Sequence, residues 1–100
     1  MPSTAILDLR FNPDTLDEAR EVVHRVLTET RAFDGCLGVT VIEDKDDPAH
    51  LVAVEEWESL DKDAAYRAWR AGDGATGMAD LAPHIAGPPS LIVGEPRSDL

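Results

Sequence analysis

Residues 34–59 read D-G-C-L-G-V-T-V-I-E-D-K-D-D-P-A-H-L-V-A-V-E-E-W-E-S, which predicts two strands joined by a charged turn. Gly35 opens the first strand, which continues through Cys36, Leu37, Gly38, Val39, Thr40, Val41 and Ile42. Asp44, Lys45, Asp46, Asp47 and Pro48 form the turn, because Asp and Pro favour turn geometry and are depleted in strands. The second strand runs from about His50 to Glu58. Side chains alternate across a strand. Leu37, Val39 and Val41 therefore share one face of the first strand, and Cys36, Gly38, Thr40 and Ile42 share the other. In the second strand Val52, Val54 and Glu56 oppose Leu51, Ala53, Glu55 and Trp57. An antiparallel pair with one wet face alternates cleanly between apolar and polar. Neither face does so here, so the hairpin requires cover on both sides.

Upstream, Thr4–Phe11 reads as a strand, with Ala5, Leu7, Leu9 and Phe11 on one face and Ile6, Asp8 and Arg10 on the other. Asn12-Pro13-Asp14 breaks it, since Pro fixes its own φ and pushes Asn12 into extended geometry. Asp14 is the expected N-cap of a helix reaching about Thr30, with Asp17 and Glu18 favourable in its first turn. Leu16, Ala19, Val23, Val26 and Leu27 recur at helical spacing along it. Downstream, Ser59 or Asp61 caps a second helix over about Lys62–Ala71, whose expected apolar face is Ala65, Ala68, Trp69 and Gly72. Gly72-Asp73-Gly74 ends it. Thr76 is expected to cap a short helical piece through Leu81 and Ala82, limited by Pro83. His84–Ser90 is a Gly- and Pro-rich loop, Leu91–Val93 a last strand, and 96–100 a tail to a single domain over 1–95.

The order β-α-β-β-α-β is that of the ferredoxin-like split unit, an α+β fold with an antiparallel sheet. Right-handed crossovers place both helices on one face of the sheet. The other face stays bare in a monomer, and the 100-residue chain has no spare element to cover it. A second copy of the same sheet is the economical cover, so the expected assembly is a two-fold homodimer.

The formal charge of −11 argues against nucleic acid and anionic membranes as partners, because their phosphates would be repelled. Cys36 is the only cysteine, so no internal disulfide forms. No apolar run is long enough to span a bilayer. The start, M-P-S-T-A-I-L-D, lacks a signal peptide's basic region and long apolar core. A cytoplasmic location is expected.

The segment from Thr30 to Ser59 resembles the middle of the antibiotic biosynthesis monooxygenase family. The residues that carry the resemblance are Thr30, Arg31, Gly35, Cys36, Asp46, Asp47, Pro48, Glu56, Trp57, Glu58 and Ser59. A-Y-R-A-W-R at 65–70 and L-A-P-H-I-A-G-P-P-S at 81–90 are similar to a bacterial subgroup of it. Asp34 stands where the family has Pro, and Trp69 lies near the position of its helix-two His. The resemblance implies a dimeric α+β barrel that oxygenates aromatic polyketides or quinols without metal or flavin. It also implies an alternative, since related members degrade haem.

No nucleophile–base pair, H-x-x-x-H, C-x-x-C, phosphate loop or calcium loop has recognisable spacing. His24, His50 and His84 are scattered. The set that invites chemistry is Tyr66, Trp69 and Arg70, at i, i+3 and i+4 on the second helix, with His84 beyond it and Asn12 ending the first strand. Cofactor-free oxygenation needs a base, donors for the resulting anion and exclusion of water. In that reading His84 is the base or orienting group, Arg70 or Asn12 stabilises the oxyanion, and Tyr66 and Trp69 stack on a small hydroxylated aromatic or quinol that reacts with O₂. Asn12, Trp69 and His84 match in type and order the Asn-Trp-His set of haem-degrading relatives, in which His ligates the iron. A third alternative is a non-enzymatic dimer that binds a small molecule.

Overall fold

The computed structural model describes residues 1–100 as a four-stranded antiparallel sheet packed on one face by three helices. The strands are β1 (Ser3–Arg10), β2 (Cys36–Asp44), β3 (Asp47–Trp57) and β4 (Ser90–Gly94). The helices are α1 (Leu16–Ala32), α2 (Leu60–Arg70) and α3 (Ala75–Leu81). The sheet order is β2-β3-β1-β4, the expected ferredoxin-like arrangement with α3 added between α2 and β4. No helix is long and apolar enough to cross a membrane.

The helix-facing side of the sheet follows the predicted alternation. Ser3, Ala5, Leu9 and Phe11 are buried from the β1 side, and Leu51, Ala53, Glu55 and Trp57 from β3. In β2 the alternation breaks early. A register shift between Cys36 and Gly38 puts Cys36 opposite Trp57, on the helix-facing side with Val39 and Val41, and leaves Leu37 59% exposed. The face assignment of Cys36 and Leu37 is thereby corrected. An extra residue in one strand of an antiparallel pair shifts phase in just this manner. The β2–β3 turn is also tighter than expected, since β2 runs to Asp44 and β3 begins at Asp47.

Capping corrects two boundaries and decides a third between Ser59 and Asp61 in favour of Ser59. The Asn12 side chain accepts from the Asp14 N–H at 3.0 Å and opens a 3-10 turn over Pro13–Thr15, so α1 starts at Leu16 rather than being capped by Asp14. Ser59 caps α2 by accepting from the Lys62 N–H at 3.2 Å. Helix α3 has Gly74 at its N-cap instead of Thr76. A Cβ at Gly74 would lie 2.5 Å from the Trp69 indole, which requires glycine there. Helix α2 turns a different face inward from the one expected. Asp63, Tyr66 and Arg70 are buried, whereas Ala65 and Ala68 are exposed. The polar face wins because hydrogen bonds and ion pairs satisfy its charges, and its aromatic ring has more surface to bury than an alanine methyl.

The opposite sheet face carries no element of this chain. Ile92, Ile6, Val54 and Thr40 form one cross-strand row, and Val52 faces Ile42 in the next. Ile6, Ile42 and Ile92 are 39%, 53% and 65% exposed. Polar groups flank this stripe. Thr4 donates to Glu56 at 2.9 Å, and His50 bridges Asp44 through Nδ1 and Asp8 through Nε2, each at 2.9 Å.

The bond to Asp44 raises the His50 pKa; burial opposes it, and the bond to Asp8 adds to the rise. Asp44 is lowered, first by the backbone N–H of Asp46 and then by His50. The raised histidine contributes stability below its ordinary ~6.5, lost as pH rises through its higher folded value. The lowered aspartate contributes stability above its ordinary ~3.9, lost as pH falls through its lower folded value. His50→Gln is therefore expected to lower Tm most between about pH 4 and 6.5, with the difference shrinking by pH 9. Parallel melts across that range check it, and a pH-independent difference contradicts it.

Candidate functional site

The core divides into two parts. One contains Leu9, Phe11, Ala19, Val23, Leu27, Ala49, Leu51 and Leu81. The other is aromatic, with Ala5, Trp57 and Tyr66 buried against Phe33, Cys36 and Trp69. A cavity of about 640 Å³ opens between them, roofed by α1, α2 and α3 and floored by β1 and β3. The loop before β4 supplies Gly87, Pro88 and Pro89 to its wall. Most of the wall is aliphatic, and the only charged or phenolic groups in it are Glu55, Tyr66, Arg67 and Arg70. A volume of this size with few, grouped polar atoms is what a small-molecule pocket requires.

Those four residues form two hydrogen-bonded sets. Arg70, 6% exposed, has all its nitrogens engaged. Its Nε donates to the Tyr66 hydroxyl at 2.8 Å, and Nη2 donates to the Val26 carbonyl at 2.8 Å and to Thr30 Oγ1 at 3.2 Å. Its Nη1 donates to the Gly74 carbonyl and to Glu29, both at 3.3 Å. Thr30 Oγ1 donates to the Val26 carbonyl, so the 2.7 Å contact between Thr30 and Tyr66 is a bond that the Tyr66 hydroxyl donates. Both the phenol and the guanidinium are thus fixed from outside the cavity.

The second set centres on Glu55, which is 1% exposed. Its Oε1 accepts from Arg67 Nη2 at 2.7 Å and from the Trp57 indole N–H at 3.1 Å. Arg67 also donates to Asp63, from Nε at 3.3 Å and Nη2 at 3.2 Å, and Asp63 is 3% exposed. Burial works against the Arg67 charge, but the carboxylates of Glu55 and Asp63 hold its pKa above the ordinary arginine value.

The expected site residues fall in different places. Tyr66 and Arg70 line the cavity; Trp69, Asn12 and His84 do not. Trp69 packs on Phe33 at 5.3 Å between ring centroids, with the Arg70 guanidinium carbon 4.6 Å from its own ring centroid. Asn12 and His84 meet at the far end. The Asn12 N–H donates to the His84 carbonyl at 2.8 Å, and His84 Nδ1 lies 2.8 Å from Thr15 Oγ1. His84 sits between Ala82–Pro83 and Ile85; Ala82 and Ile85 line the cavity but the imidazole does not. The Asn-Trp-His set that haem binding would use is therefore not gathered around one space, and no histidine faces this cavity. No three His, Cys, Asp or Glu side chains are grouped to hold a metal ion. Cys36 is half-buried, and burial pushes its thiol up, away from the thiolate that reactivity requires.

Sequence reasoning did not single out Glu55 and Arg67. The signal was available, because alternation puts Glu55 on the face of Leu51, Ala53 and Trp57, and a charge on an apolar face demands a partner.

Residues 2–80 match the family model described as antibiotic biosynthesis monooxygenase. A solved protein from Nitrosomonas europaea, which carries the same family name, superposes with a TM-score of 0.84 at 15% identity, covering 97% of this chain and 91% of its own. A Mycobacterium tuberculosis protein superposes at 0.83 with 23% identity, covering 98% and 97%. One from Caulobacter crescentus, again of that family name, gives 0.81 at 16%, covering 97% and 91%. At these identities the superpositions speak for the fold. A search among curated proteins finds no match.

Proposed function

The chain belongs to the antibiotic biosynthesis monooxygenase family, and from that premise we propose that it is a homodimeric, cofactor-independent monooxygenase of a small hydroxylated aromatic or quinol. The observation that carries the proposal is the cavity of about 640 Å³, aliphatic except for Glu55, Tyr66, Arg67 and Arg70. A flat apolar substrate fills such a space, and its hydroxyl meets the polar end. Deprotonation leaves an electron-rich phenolate or enolate. That anion gives one electron to O₂, and the resulting superoxide and carbon radical combine in a C–O bond. The peroxide takes up a proton and loses water, so one oxygen atom stays in the product as a carbonyl and the other leaves as H₂O. The protein's part is to exclude bulk water and to hold the ring and its hydroxyl in place. Tyr66 presents an aromatic wall, and Arg70 holds it there.

The test is an oxygen electrode with anthrones, naphthols and quinols. Uptake is expected with at least one of them, and Ala53→Phe, which projects a ring from β3 into the cavity, is expected to abolish it in a protein of unchanged circular dichroism. Uptake that survives this blockage places the reaction elsewhere. Saturable binding without uptake by the unaltered protein favours the small-molecule-binding dimer.

A further inference from the structure

We propose that Glu55 is the group that takes the substrate's proton, and that it restricts the cavity to neutral hydroxyl donors and excludes carboxylates. The proposal rests on the cavity being the substrate site. Both hydrogen bonds of Glu55 end on Oε1. Oε2 has no partner, yet it is not fully enclosed, since Ser3 Oγ is the only fully enclosed side-chain polar atom without a partner. An oxygen of a 1%-exposed residue that is neither bonded nor enclosed faces the space that the residue lines, which is the cavity. A carboxylate oxygen only accepts. The wall as arranged offers it nothing: Arg70 has every nitrogen engaged, the Tyr66 hydrogen points to Thr30, Arg67 Nε and Nη2 go to Asp63 and to Oε1, and Arg67 Nη1 makes no bond to Oε2. The ligand must therefore bring the hydrogen.

Charge sharpens the selection. Two guanidiniums, Arg67 and Arg70, line the cavity with Glu55, and three carboxylates, Glu55, Asp63 and Glu29, are set against them. A bound anion adds like charge beside Glu55 in a water-poor space, which is strongly disfavoured. A phenol or enol adds none. When its O–H bond breaks, the proton goes to Oε2, the bonding pair stays on the substrate oxygen, and the total charge of the pair is unchanged. Glu55 is then a neutral acid, positioned to return the same proton to the peroxide formed with O₂. Trp57 and Arg67 fix the other carboxylate oxygen, so Oε2 keeps its direction through both transfers.

Two readouts test this, and only one of them needs turnover. In equilibrium titrations followed by tryptophan fluorescence, the unaltered protein is expected to prefer 2-naphthol over the equally shaped 2-naphthoate by about 10²-fold or more. Glu55→Gln keeps the side-chain volume, and its amide can still meet Trp57 and Arg67; it should bring the preference below about 10-fold or reverse it. Glu55→Gln/Arg67→Gln removes the paired charge as well, which covers the case in which an uncompensated Arg67 unfolds the single variant, and the same collapse is expected. In turnover, Glu55→Gln should lose roughly 10²–10⁴-fold in kcat/KM, while His84→Ala stays within a few-fold. A naphthoate preference in the unaltered protein, a preference unchanged in both Glu55 variants, or a large loss confined to His84→Ala overturns the assignment. If no substrate consumes O₂ but the preference still collapses, the oxygenase reading fails and Glu55 stands as the hydroxyl acceptor of a binding site.

Discussion

Arg70→Met is expected to lower the unfolding free energy by about 3–5 kcal/mol, a large fraction of the ~5–15 kcal/mol that holds a domain together. The guanidinium ties four places to one point: Val26 and Thr30 on α1, Tyr66 on its own helix, Glu29 at the surface, and the Gly74 carbonyl where α3 begins. Hydrogen bonds to a charged group contribute about 1.5–3 kcal/mol each. Their sum is offset in part because a methionine needs no desolvation of a cation. The site is also crowded, since a Cβ at Gly77 would lie 2.9 Å from Arg70 Nη1. The methionine fills the stem but leaves the Tyr66 hydroxyl without its donor and the Gly74 carbonyl without its bond to the guanidinium. Urea denaturation gives the stability change. At temperatures where the variant stays folded, KM should rise more than kcat falls, because Tyr66 is a wall of the cavity and Arg70 acts by holding it. A variant of unchanged stability that has lost 10²-fold or more in kcat would instead make Arg70 a direct partner of the oxyanion.

The contrast between Arg70 and Asn12 shows what a sequence can and cannot convey about such a site. Strand alternation around Asp34–Ser59 sufficed to separate Leu51, Ala53, Glu55 and Trp57 from Val52 and Val54, and the element order sufficed for the sheet. Those properties depend on local geometry with a fixed period. The phase slip at Cys36 was not legible, because a bulge depends on how β2 meets β3 and not on β2 alone. The inward face of α2 was misread for a similar reason. Arg70 looks like a solvent residue until Val26 and Thr30 of α1 arrive to satisfy it, and Asp63 does so until Glu55 of β3 bonds their shared partner Arg67. Residue type drew Asn12, Trp69 and His84 into one set, but tertiary distance decides whether they share a space. Asn12 is engaged as a cap for the turn that starts α1, and Trp69 closes over Gly74.

The same alternation sets up the sharpest test of assembly, because Ala53 and Val54 are adjacent and face opposite ways. Val54→Asp is expected to leave a folded chain and raise the dimer dissociation constant by about 10³-fold or more. Val54 pairs with Ile6 on one side and Thr40 on the other, in the row that ends at Ile92. This is the middle of the bare apolar face, which the proposed two-fold partner covers with its own copy of the same row. Two-fold symmetry brings both new carboxylates into one interface, each buried without a partner and each repelling the other. Such a juxtaposition costs several kcal/mol, and each 1.4 kcal/mol is tenfold in affinity. Ala53→Asp puts its charge on the other side, among Leu51 and the helices, where Ala53 is 3% exposed, and that chain should fail to fold at all. Sedimentation of the two variants beside the parent, with circular dichroism on each, reads both outcomes. A folded Val54→Asp protein that remains a dimer at micromolar concentration would move the interface away from this face, and a folded Ala53→Asp protein would contradict the packing of β3 against the helices.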